Sequence, residues 1–419
     1  MKKIVFLALI SASMLSQSAC NAWFLNKMFS SESQDEEEKQ PLRELLFMKD
    51  GEVVLDLSNT DIDEVPDEAC EIHEITKIVL DGNKIKPKSI KKLRSLPKLR
   101  WLFMNNCSLN KIPDEVLSLK KLAGLQLGDN SFSASQIGKL AEMPHLYVLV
   151  LTNSNFSGIP KEILNLKDLS AFNFSGNYIR DEESLKLLAK IYNLNTLYLD
   201  ECGIDSIPEE IVTLPKMQHL SLCGNYLSAE FLEKLFTKLR LITVSLEKCG
   251  IEEIPQTIET SPFIETLTLS DNQISQQSLK YISKIRYLKT LELNNCLITE
   301  LPDEMENMSR LETILLYGNP LSKQALQTLT KMQGLVSVQL SKCGLNELPK
   351  EMCNMKYLMY IGLMNNDIKE ETMDVLGTIP SLQILQFYPY TNKQAEKLES
   401  LGFKKESSDE WTWTKVSTT

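Results

Sequence analysis

Cysteine is the residue type in this sequence whose spacing most directly raises a question of chemistry. Five of the nine cysteines recur at intervals of about 47 residues or twice that: Cys107, Cys202, Cys249, Cys296 and Cys343. Thiolates bind zinc, but zinc sites usually draw on closely spaced pairs such as Cys-x-x-Cys, and the sequence has no such pair. The regular interval instead predicts that these residues fill the same position of a repeated structure as free thiols.

The other residues that could perform catalysis are just as scattered. The sequence has only three histidines, His73, His145 and His219, and it contains no glycine-rich phosphate loop and no run of metal ligands. Acid–base, nucleophilic and metal chemistry all need such groups to be brought together. We therefore expect a protein that is not an enzyme, with no cofactor, no catalytic residue and no metal site.

The elements that position these residues form a long series of short repeats. When the first residue of a repeat is counted as position 0, apolar residues occupy positions 0, 3, 5 and 10, as in Leu99, Leu102, Met104 and Leu109. Successive repeats start alternately 23 and 24 residues apart, with one extra residue in the sixth, so the full period is a pair of repeats. This periodicity predicts a solenoid, in which each repeat buries its apolar face against its neighbours.

Two types of repeat alternate along the series. Type A repeats have a small residue at position 8 and a proline at position 14, which acidic residues often follow, as they follow Pro113. Type B repeats have asparagine at position 8 and often serine at position 11, as at Ser275. Positions 0 to 5 predict a β-strand in both types. We expect a short helix or 3₁₀ turn with the proline at its first helical position in type A, and a longer helix capped by serine in type B.

These repeats resemble the leucine-rich repeat family, whose pattern Leu-x-x-Leu-x-Leu-x-x-Asn/Cys-x-Leu they match. The resemblance implies an α/β solenoid, a leucine-rich repeat horseshoe with a parallel inner β-sheet and alternating short and longer helices on its convex side. Residues 42–381 are expected to hold an N-terminal cap and fourteen repeats in seven pairs, and residues 382–419 a C-terminal cap whose core Trp411 and Trp413 close. Cysteines on alternate strands would lie about 9 to 10 Å apart, too far for a disulfide.

The start of the chain differs from the repeats. Two lysines precede a short apolar stretch that ends in Ser-Ala-Cys at Cys20. This order predicts a secretory signal over residues 1–19. Its end resembles a bacterial lipoprotein signal, which would make Cys20 the site of lipidation, although Gln17 departs from that pattern.

Residues 20–41 are expected to form a disordered tether, because residues 30–39 are polar and strongly acidic. The expected location is therefore the bacterial outer membrane or cell surface, with a lipid anchor as the only membrane contact. Simple secretion is an alternative. A cytoplasmic location is another, because many free thiols fit poorly with export to an oxidising compartment.

The charge of the chain limits its partners. The net charge is −11, with 56 acidic and 45 basic residues, so we expect no nucleic-acid partner, because nucleic-acid phosphates need a basic surface. In the leucine-rich repeat family, function usually lies on the concave sheet, at strand positions that point outward. At these positions aromatic and apolar residues gather in repeats three to five, and further residues follow: Trp101, Phe103, Tyr147, Val148, Val150, Tyr198 and His219.

Exposed aromatic residues on a rigid surface are typical of binding hot spots, whereas cross-strand aromatic packing can also simply stabilise a sheet. We expect a non-catalytic protein that recognises a protein partner with its concave sheet at the cell envelope or surface. Glycan capture by the same aromatic residues is one alternative, and an architectural envelope role through the acidic outer helices is another.

Overall fold

The structure, a computed structural model, describes residues 42, 46–49, 51–179, 182–238, 240–406 and 411–416. The predicted signal, Cys20 and the tether lie outside these residues. The chain divides into two compact units, which we call the N-terminal half (Met1–Tyr198) and the C-terminal half (Leu199–Thr419).

The N-terminal half is built on one sheet. Its strands are β1 (Leu46–Lys49), β2 (Glu52–Asp56), β3 (Lys77–Val79), β4 (Trp101–Phe103), β5 (Gly124–Gln126), β6 (Val148–Val150), β7 (Ala171–Asn173) and β8 (Thr196–Tyr198). Strands β2 to β8 are parallel and in register. Strand β1 pairs antiparallel with β2 and so begins the sheet at the point where the sequence predicts an N-terminal cap.

Helices of alternating length connect these strands. The α-helices are α1 (Asp67–Glu71), α2 (Pro87–Ile90), α3 (Asp114–Leu117), α4 (Ala134–Lys139) and α5 (Glu182–Lys186). The 3₁₀ helices are Lys91–Ser95, Leu140–Glu142, Lys161–Asn165 and Leu188–Lys190. Type A repeats carry a single short helix, whereas type B repeats carry an α-helix that a 3₁₀ turn extends.

The C-terminal half also alternates strands with helices, but most of its type B repeats carry one longer α-helix without a 3₁₀ extension. Its strands are β9 (His219–Ser221), β10 (Thr243–Ser245), β11 (Thr266–Thr268), β12 (Thr290–Glu292), β13 (Thr313–Leu315), β14 (Ser337–Gln339), β15 (Tyr360–Gly362), β16 (Ile384–Gln386), β17 (Phe403–Lys405) and β18 (Thr412–Lys415). Strands β9 to β16 are parallel and in register. Strand β18 pairs antiparallel with both β16 and β17.

Its α-helices are α6 (Glu209–Val212), α7 (Ala229–Lys238), α8 (Gln276–Ile282), α9 (Lys323–Lys331), α10 (Asp374–Thr378) and α11 (Asn392–Ser400). Its 3₁₀ helices are Gln256–Thr260, Asp303–Asn307, Lys350–Asn354 and Glu370–Thr372. At its end Trp413 is 1% exposed and packs edge-on against Tyr390, whereas Trp411 is 43% exposed. The prediction that both tryptophans close the terminal core is therefore wrong for Trp411.

Asparagine at position 8 of type B repeats holds neighbouring repeats together. The Asn130 side chain donates to the carbonyls of Met104 and Leu127, both at 2.9 Å, and accepts from the amides of Cys107 and Leu109. Buried backbone that turns away from a sheet needs such partners, because an unpaired polar group in the core destabilises the fold. The same four kinds of bond recur in the C-terminal half, for example at Asn319.

Two local expectations needed correction. In type A repeats the proline is the N-cap residue, and the helix begins one residue later, as at Pro113 before α3. The serine caps of type B repeats form at Ser275 and Ser322. They do not form at Ser133, whose hydroxyl instead lies 3.0 Å from that of Ser135.

Candidate protein-binding surface

Strand positions 2 and 4 of the N-terminal half form the outward face of its sheet. On this face Trp101, Val148 and Ala171 make a buried apolar cluster, and Phe103 and Tyr147 pack against it. The five residues come from β4, β6 and β7 and from the residue before β6. We call them the aromatic cluster. The structure therefore brings together four of the seven residues that the sequence predicts as a site.

A glycine lets the cluster form. Gly124 lies in β5, directly beside Trp101 in the parallel register. A Cβ atom at Gly124 would lie 2.1 Å from Cε3 of the indole, so the Trp101 ring extends across the space that a side chain would fill. Tyr147 meets the same indole edge-on, with ring centroids 6.1 Å apart and an interplanar angle of 80°. This is a preferred aromatic geometry, and it fixes both rings.

The prediction that these side chains are exposed is wrong for three of them. Trp101 and Val148 are each 7% exposed and Val150 is 6% exposed, because neighbouring side chains on a close-packed sheet cover one another. Trp101 and Val148 form a buried floor. Phe103 and Tyr147 are only partly buried and form the accessible part of the cluster.

Three of the predicted residues lie outside the cluster: Val150, Tyr198 and His219. Tyr198 on β8 is partly buried, and Asn173 separates it from Val150 across the sheet. His219 belongs to the C-terminal half, where its Nδ1 lies 3.0 Å from the hydroxyl of Thr243. It lies next to a sheet face of small polar residues on strands β10 to β13: Thr243, Thr266, Thr290 and Thr313.

Charged groups border the aromatic cluster. The ammonium of Lys77, which is 5% exposed, lies 5.3 Å from the centre of the Phe103 ring, a cation–π contact. Burial raises the pKa of the Tyr147 hydroxyl above its usual value, the charge of Glu52 adds to the increase, and the charge of Arg100 opposes it. The phenol is therefore neutral at physiological pH and can donate a hydrogen bond.

Sequence reasoning missed Lys77, Gly124 and Ala171. A signal for Gly124 was present, because the repeat period places it in the same strand position as Trp101 on the next strand. A missing side chain next to a large one indicates that the large ring lies across the gap. Lys77 could not be recognised in this way, because a lysine can extend in many directions.

The cysteines of the repeats have a structural role. The eight described cysteines are free thiols, as their spacing predicts. The Cys107 thiol donates to the Leu80 carbonyl of the preceding repeat, and burial raises its pKa to about 11. Burial has the same effect on Cys249, Cys296 and Cys343. A thiol that stays protonated is a poor nucleophile and a poor metal ligand. Among the described residues, no group of three His, Cys, Asp or Glu side chains is placed to hold a metal ion.

These features define a class of protein, a solenoid of short strand–helix repeats with a preformed sheet face. A family model described as "Leucine-rich repeat region" matches residues 178–410, which is more than half of the chain. The chain therefore belongs to the leucine-rich repeat family, and the fold class predicted from the sequence is confirmed in both halves. This fold is typical of protein–protein recognition.

Solved structures support the same fold. A leucine-rich repeat protein of Leptospira interrogans is 22% identical, with 80% of this chain and 95% of that chain covered and a TM-score of 0.55. An internalin (InlF) of Listeria monocytogenes is 23% identical, with coverage of 78% and 90% and a TM-score of 0.54. At this identity the likeness shows the fold alone. A search of curated proteins found no significant match. Within the described residues, no helix combines the length and the apolar character needed to cross a membrane.

Proposed function

We propose that this protein is a non-catalytic receptor that binds a protein partner on the sheet face of its N-terminal half. The observation that carries the proposal is the aromatic cluster, in which Phe103 and Tyr147 stand on a floor of Trp101 and Val148. Rings that packing already holds lose little freedom when a partner binds, so more of the contact energy remains as affinity. Aromatic residues in such positions are common binding hot spots.

The packing of Trp101 favours a protein partner over a glycan. A sugar ring stacks on the open face of an aromatic side chain, but the Trp101 indole lies over β5 and is 7% exposed. Tyr147 and Phe103 are better suited to insertion between the side chains of a partner, with the Tyr147 hydroxyl available as a hydrogen-bond donor. Glycan capture is therefore an outcome that the experiment must be able to detect.

We propose the bacterial envelope as the location, with the chain anchored through lipid at Cys20. Support comes from the sequence: a basic start, a short apolar stretch and a cysteine after small residues. Full-length protein should partition into the detergent phase of a Triton X-114 extraction, and the Cys20→Ala variant should partition into the aqueous phase. Equal partition of the two proteins would contradict the lipid anchor.

Photo-cross-linking tests the binding surface even while the partner is unidentified. A benzophenone amino acid at position 147 should give a discrete adduct in cells that a protease removes. A matched variant carries the same group at Glu265, which occupies the same repeat position before β11 in the C-terminal half, and should give no such adduct. Equal adducts from both positions, or an adduct that a glycosidase removes and a protease does not, would contradict the proposal.

A further inference from the structure

One group of cations in the N-terminal half is concentrated on neighbouring turns and has few carboxylates beside it. Many lysines pair with a carboxylate of a neighbouring repeat, such as Lys92 with Asp67 at 2.7 Å and Lys323 with Glu347 at 2.6 Å. In contrast, five cations of repeats two and three lie around the turns that lead into β4 and β5. We call them the basic edge: Arg94, Lys98, Arg100, Lys120 and Lys121.

The basic edge is poorly neutralised. Of its five cations, only Lys120 has a carboxylate within 4.0 Å among the described residues, and that oxygen of Glu142 is 3.5 Å away. The other four are exposed. On a chain of net charge −11, these cations form a local region of positive potential, which attracts an anionic partner.

Neutral oxygen atoms hold several of these cations in place. Arg94 Nε donates to Ser118 Oγ at 2.9 Å, and Arg100 Nη1 donates to the Lys121 carbonyl at 2.9 Å. A guanidinium has five N–H donors, so each arginine keeps donors for a further acceptor. Because the side chains are already oriented, a partner that binds them loses less free energy in ordering them.

A cavity lies within the basic edge. It has a volume of about 180 Å³, and its rim includes Arg94, Lys120 and Lys121. Its floor is apolar and consists of leucines from three successive repeats: Leu93, Leu96, Leu99, Leu119 and Leu122. Such a cavity suits an apolar side chain that has carboxylates beside it.

The basic edge is continuous with the aromatic cluster. Arg100 directly precedes Trp101, and its carbonyl accepts the amide of Ala123, whose own carbonyl accepts the amide of Tyr147. Arg100 and Tyr147 therefore occupy the same strand position two strands apart, with only the small Ala123 between them. A single extended segment of a partner can contact both regions.

We propose that the basic edge binds an acidic polypeptide segment, with its carboxylates against Arg94, Lys98, Arg100 and Lys121 and an apolar side chain in the leucine-floored cavity. This inference rests on the proposed function and adds the chemistry of the partner. The apolar cavity beside the cations favours a polypeptide, whose carboxylates arginine can bind in a two-pronged geometry. A membrane surface is disfavoured, because the net charge of the whole chain repels anionic lipid.

Selection from a display library of random short peptides on the full chain tests the inference. The protein used for this selection has residues 35–38 replaced by Asn and Gln, so that its own acidic run does not compete with the peptides. Peptides rich in Asp and Glu that also carry an apolar residue should be enriched. Affinity for a synthetic selected peptide should fall as salt rises, because exposed charge pairs are screened over about 10 Å. Enrichment without acidic residues would overturn the inference.

Charge reversal locates the site. The double variant Lys98→Glu with Lys121→Glu should weaken peptide binding by about tenfold or more. The matched control is Lys350→Glu with Lys356→Glu, two exposed lysines of the C-terminal half, one of which occupies the repeat position of Lys120. It should bind as the parent does. Equal loss in both variants, or in neither, would overturn the inference.

Further experiments distinguish an acidic peptide from other anionic ligands, and failure of this inference from failure of the proposed function. The parent protein and the Lys98→Glu, Lys121→Glu variant should not differ in their binding to vesicles of phosphatidylglycerol and phosphatidylcholine or to duplex DNA. Binding to either ligand that the variant abolishes would assign the basic edge to that ligand instead. If Tyr147→Ala weakens peptide binding and charge reversal does not, the role of the basic edge alone is refuted. If charge reversal weakens peptide binding and Tyr147→Ala does not, the role of the aromatic cluster in binding is refuted.

Discussion

The two halves of the molecule contain the same repeat but differ in the residues on its outward face. In both halves, asparagine at position 8 joins neighbouring repeats, and apolar residues at positions 3 and 5 fill the core. On the outward face, position 2 holds Trp101 and Val148 in the N-terminal half, whereas β10 to β13 of the C-terminal half hold threonine there. The strand geometry therefore does not require aromatic residues, so the clustering of aromatic residues in the N-terminal half needs another explanation.

The largest expected effect falls on the feature that the halves share. Replacing Asn130 or Asn319 by alanine leaves two buried amides and two buried carbonyls without their partner, and we expect each variant to lose about 3 kcal/mol or more of unfolding free energy. Urea denaturation followed by circular dichroism measures this loss. A cost below about 1 kcal/mol in either half would show that the asparagine is not what joins the repeats.

The next prediction concerns the feature that differs. Trp101→Ala removes a buried indole and should lower the unfolding free energy by about 2 to 4 kcal/mol. Thr266→Ala, at the same repeat position on β11, should change it by less than about 1 kcal/mol. Similar losses from the two variants would show that the aromatic cluster is no more than ordinary sheet packing.

A smaller effect is expected at Gly124. The added Cβ of Gly124→Ala would lie 2.1 Å from the Trp101 ring, so the indole must move, at a cost of about 1 to 2 kcal/mol. In a Trp101→Ala background the same substitution should cost almost nothing, because the obstruction is gone. A double-mutant cycle measures this coupling. Additive effects would mean that the indole does not lie over β5.

The smallest effect at neutral pH concerns the buried thiols of both halves. The pKa of Cys107 and of Cys296 is raised to about 11 in the folded state from about 9, so both thiols are neutral at pH 8. Their contribution to stability is complete below pH 9 and is lost as pH rises from 9 towards 11. At pH 8 a short iodoacetamide treatment should label the exposed Cys353 and leave Cys107 and Cys296 unmodified, as peptide mass spectrometry would show. Labelling of either buried thiol in folded protein would contradict this assignment.

The fold could be predicted from the sequence more fully than the site. Spacing alone located the strands and the asparagine positions, because the core requires the same residue types in every repeat. The burial of Trp101 was not foreseen, because it depends on the absence of a side chain at Gly124 on the next strand. The basic edge was not foreseen either, because the chain has a net negative charge. In addition, the contacts of long side chains are determined only in the folded structure.

The measurement that tests the central claim most directly is the affinity of the cross-linked partner for the variant Phe103→Ala with Tyr147→Ala. Both side chains are partly exposed, so the circular dichroism spectrum should stay that of the parent. Loss of hot-spot contacts worth about 2 kcal/mol or more should weaken binding by about 30-fold or more in isothermal titration calorimetry. Unchanged affinity in the folded variant would contradict the claim that the sheet face of the N-terminal half is the binding surface.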